Sequence, residues 1–261
     1  MILDEIAAKT RERVSERSAE IPPAELRSMA ESLPNKKDYP FKQALSGEDI
    51  SFICEVKKAS PSKGVIAEDF PYIQIARDYE SAGASAISCL TEPFWFKGSD
   101  LYLKEIAAEV KIPVLRKDFT VSEYMIYEAK LMGAAAVLLI CAILSREQLK
   151  EYLELAHSLG LSALTEAHDE NEVRMALDSG AEIIGVNNRD LRTFSVDINN
   201  SARLRGLVPP DKIFVSESGI STPEDIAKLR SDGVDAVLIG ETLMKSGDKK
   251  AELDKLRGRG L

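Results

Sequence analysis

Four stretches of the chain repeat one pattern of polar and hydrophobic positions: "AGASAISCL" from residue 82, "MGAAAVLLI" from 132, "SGAEIIGVN" from 179 and "DGVDAVLIG" from 232. In each, a glycine closes a helical period, one or two small residues follow, and an apolar run reads as a buried strand. This is the helix-to-strand joint of a βαβ unit. Four further runs have the same character: "SFICEV" from 51, "IPVLRKDF" from 112, "LSALTEA" from 161 and "KIFVSES" from 212. The eight expected strands end near residues 56, 91, 117, 141, 166, 188, 217 and 241, so successive ends lie 22 to 35 residues apart. That interval holds one strand, one helix and two short loops. The intervening stretches are helical in period, as in "SREQLKEYLELAHSLG" from 145, with Ser145 placed as an N-cap and Gly160 just past the end. Eight such units in series predict an α/β fold, a (β/α)8 TIM barrel. A doubly wound sheet is the competing architecture, but it calls for a glycine-rich dinucleotide turn after its first strand, and the sequence has none there.

Residues 1–48 precede the first strand and are also helical in pattern. Leu3, Ile6, Thr10 and Val14 share one face, Leu26, Met29 and Leu33 another, and "IPPAE" between them supplies a break with a proline near a helix start. The expected organisation is one domain over 1–261: a helical extension over 1–48, then eight βα units over 49–261. Periodicity leaves open whether the extension covers the mouth of the barrel or plugs its bottom.

Composition narrows the function. The chain has 261 residues, a formal net charge of −9 and a pI near 5.0, with no strongly basic run, which argues against nucleic acid or an anionic membrane as partner. The N-terminus carries acid from Asp4 and lacks the apolar core of a signal peptide, so it reads as mature protein. The longest apolar run, "MGAAAVLLICAIL" at 132–144, is shorter than the roughly 20 residues a membrane span needs. Cys54, Cys89 and Cys141 each sit in an apolar stretch, as free buried thiols of a reducing, cytoplasmic compartment would. His157 and His168 are too few for a metal cluster, and no metal site is expected.

The chemistry gathers at the strand ends. Glu55 and Lys57 lie two residues apart at the end of the first strand, so both point to one face. The third strand ends in Arg116, Lys117 and Asp118, the fifth in Glu166, the sixth in Asn187, Asn188 and Arg189, the seventh in Glu217 and Ser218. All of these ends meet on the face where barrels of this kind build their active sites. Side chains alternate along a strand, so Lys117 points opposite to Arg116 and Asp118, and Lys117 is the one assigned to the pocket. Gly219 and Gly240 fall in the two loops that bind phosphate in many such barrels, where glycine lets backbone N–H groups approach an anion.

The motifs "ICEVKKASPSKG", "LTEPFWFKGS", "VLRKDF", "LTEAHDENE", "IIGVNNRDLRTFSVD", "VSESGI" and "VLIGETLM" together resemble the indole-3-glycerol phosphate synthase family, in order and with matching gaps from about residue 3 to about 245. The resemblance implies a (β/α)8 barrel whose N-terminal helices lie over the mouth. It also implies conversion of 1-(2-carboxyphenylamino)-1-deoxyribulose 5-phosphate to indole-3-glycerol phosphate, with loss of CO2 and water and without a cofactor. By the same resemblance Lys117 is the general acid of ring closure, Lys57 assists it or serves the later dehydration, and Glu166 is the general base. Glu55 pairs with a lysine, while Asn187 and Ser218 position polar groups of the substrate.

The same resemblance implies a binding site. Ser60 and the amides around Gly219 and Gly240 would hold the phosphate with Glu241 beside them, and Arg189 would bind near the anthranilate end. Phe96 and Phe119 would flank the ring, and the fourth strand, with no polar end, would form an apolar wall. The sequence departs from the family at "FWFKGS", in a variable loop, and at Glu241, where serine is also familiar. With the chain ending at "KLRGRGL" and no second barrel following, a monofunctional, monomeric enzyme acting on a phosphorylated small molecule is expected. A Schiff-base aldolase on the same fold is the competing chemistry, as it too places lysines at strand ends.

Overall fold

The computed structural model describes residues 2–35, 37–190 and 193–259. Leu191 and Arg192 of the "NNRDLRTF" motif and the last two residues of "KLRGRGL" therefore lie outside the described residues.

Eight parallel strands close into a barrel: β1 (Ser51–Val56), β2 (Ala86–Leu90), β3 (Val114–Lys117), β4 (Ala136–Ile140), β5 (Ser162–Ala167), β6 (Ile183–Asn187), β7 (Ile213–Glu217) and β8 (Ala236–Ile239). Each pairs with its sequence neighbours, and β1 closes the ring on β8 through Ser51↔Ala236 to Cys54↔Ile239. The protein is a (β/α)8 barrel. The glycines that announced the strands end their helices as expected. Gly83, Gly133, Gly160, Gly180 and Gly233 all have φ between 75° and 91°, a left-handed turn that glycine enters without a Cβ penalty.

Two core layers follow from the two-residue period. Ile53, Leu115, Leu138, Leu164, Ile183, Val215 and Leu238 fill the barrel interior. Their chain neighbours Phe52, Cys54, Val114, Val137, Ala163, Ile184, Phe214 and Val237 pack outward against the helices. The inward parity continues upward to Glu55, Lys117, Glu166, Asn187 and Glu217. The charged site is the next storey above the apolar one.

Outside the barrel lie α4 (Tyr72–Ser81), α5 (Asp100–Glu109), α6 (Glu123–Leu131), α7 (Arg146–Ser158), α8 (Glu170–Asp178), α9 (Asn199–Arg205), α10 (Pro223–Ser231), α11 (Glu241–Lys245) and α12 (Lys249–Leu256). Ser145 caps α7 in a reciprocal capping box with Gln148. All three cysteines are buried, and burial pushes the Cys54 thiol up to about 12. Among the described residues no helix is long and apolar enough to cross a membrane.

The first 48 residues contain three helices that do different things. Ile2, Leu3 and Ile6 of α1 (Ile2–Glu20) line the cavity at the strand C-termini. The second helix, α2 (Pro23–Ser32), lies on α6. Its buried positions are Leu26 and Ala30, while Met29 and Leu33 of the expected face are exposed, because a small alanine four residues on from Leu26 allows the closer approach. The short α3 (Pro40–Leu45) packs Phe41 and Leu45 into the interior layer with Ile53, Ala86 and Ala136, which closes the opposite end of the barrel.

Candidate active site

A cavity of about 840 Å³ opens at the C-terminal ends of the strands, and all thirteen site residues expected from the sequence line it. Glu55, Lys57, Lys117, Glu166, Asn187 and Ser218 form its floor and rim, with Ser60, Phe96, Phe119, Arg189, Gly219, Gly240 and Glu241 around them.

Lys117 sits at the centre. Its Nζ lies 3.2 Å from Glu166 Oε2 and 3.4 Å from Glu217 Oε2. Burial alone would favour the neutral amine, but Glu166, Glu217 and Glu55 outweigh it and push the Lys117 pKa well above its ordinary value. The ammonium stays charged at neutral pH. A second pair, Lys57 Nζ to Glu55 Oε2 at 2.6 Å, stands beside it, so Glu55 holds Lys57 directly and reaches Lys117 only through its field.

The three carboxylates are not equivalent. Burial raises the pKa of both Glu166 and Glu217, and their surroundings then separate them. Lys117, His168 and a hydrogen bond from Asn187 Nδ2 to Glu166 Oε1 (3.2 Å) overcome burial and hold the Glu166 pKa below the usual carboxylate value. For Glu217, burial and the charges of Glu166 and Glu55 outweigh Lys117 and lift its pKa to about 7. Glu217 Oε1 is buried with no hydrogen-bond partner among the described residues, as a carboxyl exchanging a proton near neutrality can be. In the sequence Glu217 is only one polar strand end among several. The available signal was parity: two residues beyond inward Val215, it had to face the same interior as Glu166 across the barrel.

Glycines make room for these acids. A Cβ built on Gly185 of β6 would overlap Glu217 Oε1 and lie 3.1 Å from Leu164 Cδ1, and one on Gly240 would overlap Glu55 Oε2. Gly185→Ala is expected to lower stability by about 1–3 kcal/mol, the usual cost of overpacking, and to displace Glu217. A thermal melt and an activity assay check this, and an unchanged melting temperature would refute it.

The rim carries the remaining groups. Ser218 and Gly219 have φ of 70° and 82°, two consecutive left-handed residues that turn backbone amides along the wall after β7. The Asn187 amide is already engaged: its Oδ1 accepts from Arg189 N at 3.0 Å while its Nδ2 serves Glu166. Arg189 donates to Phe194 O and lies 4.0 Å from Glu241, which also approaches Lys63 (3.7 Å) and Lys245 (2.6 Å). Phe96 and Phe119 stand with ring centroids 6.0 Å apart, and Leu138 and Ile140 of β4 form an apolar wall.

Buried Glu92 accepts backbone N–H bonds from Phe94, Trp95 and Phe96 at 2.8–3.0 Å, which fixes the loop that carries Phe96. Next to Lys117 in the chain, Asp118 accepts two 2.8 Å hydrogen bonds from Arg13 of α1, tying the first helix to the end of β3. Neither Glu92 nor Arg13 stands out in the sequence.

A closed (β/α)8 barrel with a buried ammonium between two carboxyls of unlike pKa, at the mouth where such barrels act, defines an enzyme site built for proton transfer. Comparison with known proteins specifies the family. The family model described as indole-3-glycerol phosphate synthase matches residues 3–256. The indole-3-glycerol phosphate synthase of Ruminiclostridium cellulolyticum is 60% identical over 258 residues, covering 99% of both chains. That of Endomicrobium trichonymphae is 58% identical over 98% of this chain and the whole of its own. The chain belongs to the indole-3-glycerol phosphate synthase family. Among solved structures, a mutant tryptophan synthase α-subunit from Pyrococcus furiosus matches with a TM-score of 0.60 at 17% identity, over 80% of this chain and 98% of that one, a likeness of fold.

Proposed function

We propose that the chain catalyses the synthase reaction of its family: ring closure, decarboxylation and dehydration of 1-(2-carboxyphenylamino)-1-deoxyribulose 5-phosphate. The observation that carries this reading is the pairing of a firmly charged Lys117 with an ionised Glu166 in one apolar-walled cavity.

The aromatic carbon bearing the carboxylate attacks the sugar ketone, and a C–C bond forms. The carbonyl electron pair moves to oxygen, which takes a proton from the Lys117 ammonium. CO2 leaves, and the electrons of the broken bond restore the aromatic ring. Glu166 then takes a proton from the new ring, the C–H pair becomes the ring double bond, and the hydroxyl departs as water with a proton from Lys57. Two protons are given and one is taken, which matches the loss of one negative charge as CO2 leaves a substrate bearing a carboxylate and a phosphate. Each step is a proton transfer or a bond cleavage whose electrons the substrate itself absorbs, so none calls for a cofactor.

Ser60 and the amides around Gly219 and Gly240 hold the phosphate, Arg189 binds the substrate near its anthranilate end, and Phe96 and Phe119 flank the ring. A Schiff-base aldolase would need a neutral amine, and the carboxylates around Lys117 oppose that.

The test is to supply the carboxyphenylamino-deoxyribulose phosphate and follow indole absorbance and fluorescence. Turnover is expected, and Glu166→Gln should lower kcat by roughly 10²–10⁴, the usual worth of a positioned base. A well-folded protein that yields no indole would refute the assignment.

A further inference from the structure

His168 is the first residue after β5, two positions beyond Glu166, and it does not line the cavity. Its surroundings are nevertheless organised around Glu166. Glu172 in the first turn of α8 accepts twice from this residue at one oxygen, from His168 N at 2.8 Å and from Nδ1 at 3.0 Å. An ionised carboxylate only accepts, so Nδ1 carries the hydrogen and the ring orientation is set. The other nitrogen, Nε2, is buried, has no hydrogen-bond partner among the described residues, and lies 3.4 Å from Glu166 Oε1. A neutral ring would turn a lone pair towards a carboxylate. Only a proton between Nε2 and Oε1 makes that approach favourable, and a small rotation completes the bond.

We propose that His168, clamped by Glu172, is the positioning residue of Glu166: it aims the carboxylate at the substrate and holds a proton against its far oxygen. This rests on Glu166 being the base of the proposed reaction. Asn187 donates to the same oxygen, so Oε1 faces Asn187 and His168 while Oε2 is left for Lys117 and the substrate. The backbone is held as well, since Asn200 Nδ2 donates to His168 O at 3.1 Å.

The protonation states agree in direction. Burial opposes the imidazolium, but the hydrogen bond to Glu172 and the charges of Glu166, Glu172 and Glu217 outweigh it, so the His168 pKa is raised. The other titratable groups around the pair are Lys117 from β3, Cys141 after β4, Asp169 at the cap of α8 and Arg203 of α9, which donates to Asn200. The imidazolium persists below its raised pKa and the Glu166 carboxylate above its lowered one. Between the two the ion pair is intact. Losing the cation raises the Glu166 pKa, so the base is protonated, and lost, at higher pH than before.

The chain has only two histidines, and burial lowers the pKa of the other, His157, so imidazole nitrogen NMR resolves both. His168 is expected to titrate above His157, and Glu166→Gln or Glu172→Gln should lower its midpoint. A His168 that titrates with or below His157, or ignores both substitutions, overturns the proposal. In kinetics, His168→Asn should move the acid limb of kcat/KM upward by about one unit, with activity falling by up to roughly tenfold on the acid side of that limb and unchanged by about pH 8. A loss uniform across pH, or no loss, would mark His168 as structural only. The NMR result needs no turnover, so it stands apart from the reaction assignment, which fails if the unsubstituted protein makes no indole.

Discussion

Lys117→Ala should lower kcat by roughly 10²–10⁴ while inorganic phosphate still binds, because the substitution removes the proposed acid of ring closure and leaves the proposed phosphate wall untouched. The fold should survive despite the loss of a buried charge. Without the ammonium, Glu166 and Glu217 repel each other, and Glu217, already lifted to about 7 chiefly by burial, takes up a proton and relieves the repulsion. Lys117→Arg should not restore the rate, since a guanidinium does not give up its proton in this range. Steady-state kinetics and phosphate titration decide the matter. Activity within tenfold of the unsubstituted protein would move the acid role to Lys57.

The second large effect concerns stability. Arg116 points outward from β3, fully buried, and donates to Met125 O (2.7 Å), Asp100 (2.9 Å) and Glu128 (3.2 Å), with Asp118 at 3.8 Å. Arg17 joins Asp100 and Glu128 from α1, and Arg13 joins Asp118. Three guanidinium groups and three carboxylates thus bind the first helix to β3 on the side of the strand opposite Lys117. Arg116→Met is expected to cost about 3–5 kcal/mol, because it strands buried carboxylates rather than removing a pair. For a domain of this size that is a fall in melting temperature of about 10 °C. A melting temperature within a degree or two of the unsubstituted protein would show that Arg17 and water carry the charge alone.

The contrast between Arg116 and Lys117 shows what local pattern can establish. Adjacent residues of one short strand have opposite fates, and the two-residue period alone sends Lys117 inward above Leu115 and Arg116 outward towards α6. The same period, with five helix-ending glycines, was enough to count eight strands and to send Glu55, Lys117, Glu166 and Asn187 to one cavity, whereas Ser60, Phe96, Phe119 and Glu241 were expected there only through the family resemblance. These features are legible because they depend on backbone geometry over a few residues.

Tertiary structure decided the rest, because burial and long-range pairing are properties of the assembled chain. Periodicity reads Leu3 and Ile6 as one face of an amphipathic helix and leaves its placement open. The assembled chain puts them on the cavity, while Phe41 and Leu45, in the same extension expected over the mouth, go to the barrel's opposite end. Arg13 does not stand out in the sequence, and becomes buried only by meeting Asp118, 105 residues away. Glu166 and Glu217 are the same residue type at equivalent strand ends. Which of them is ionised at neutral pH depends on Asn187, His168 and the depth of burial, and no local pattern encodes that difference, because a carboxylate's pKa follows from the charges and solvent around it.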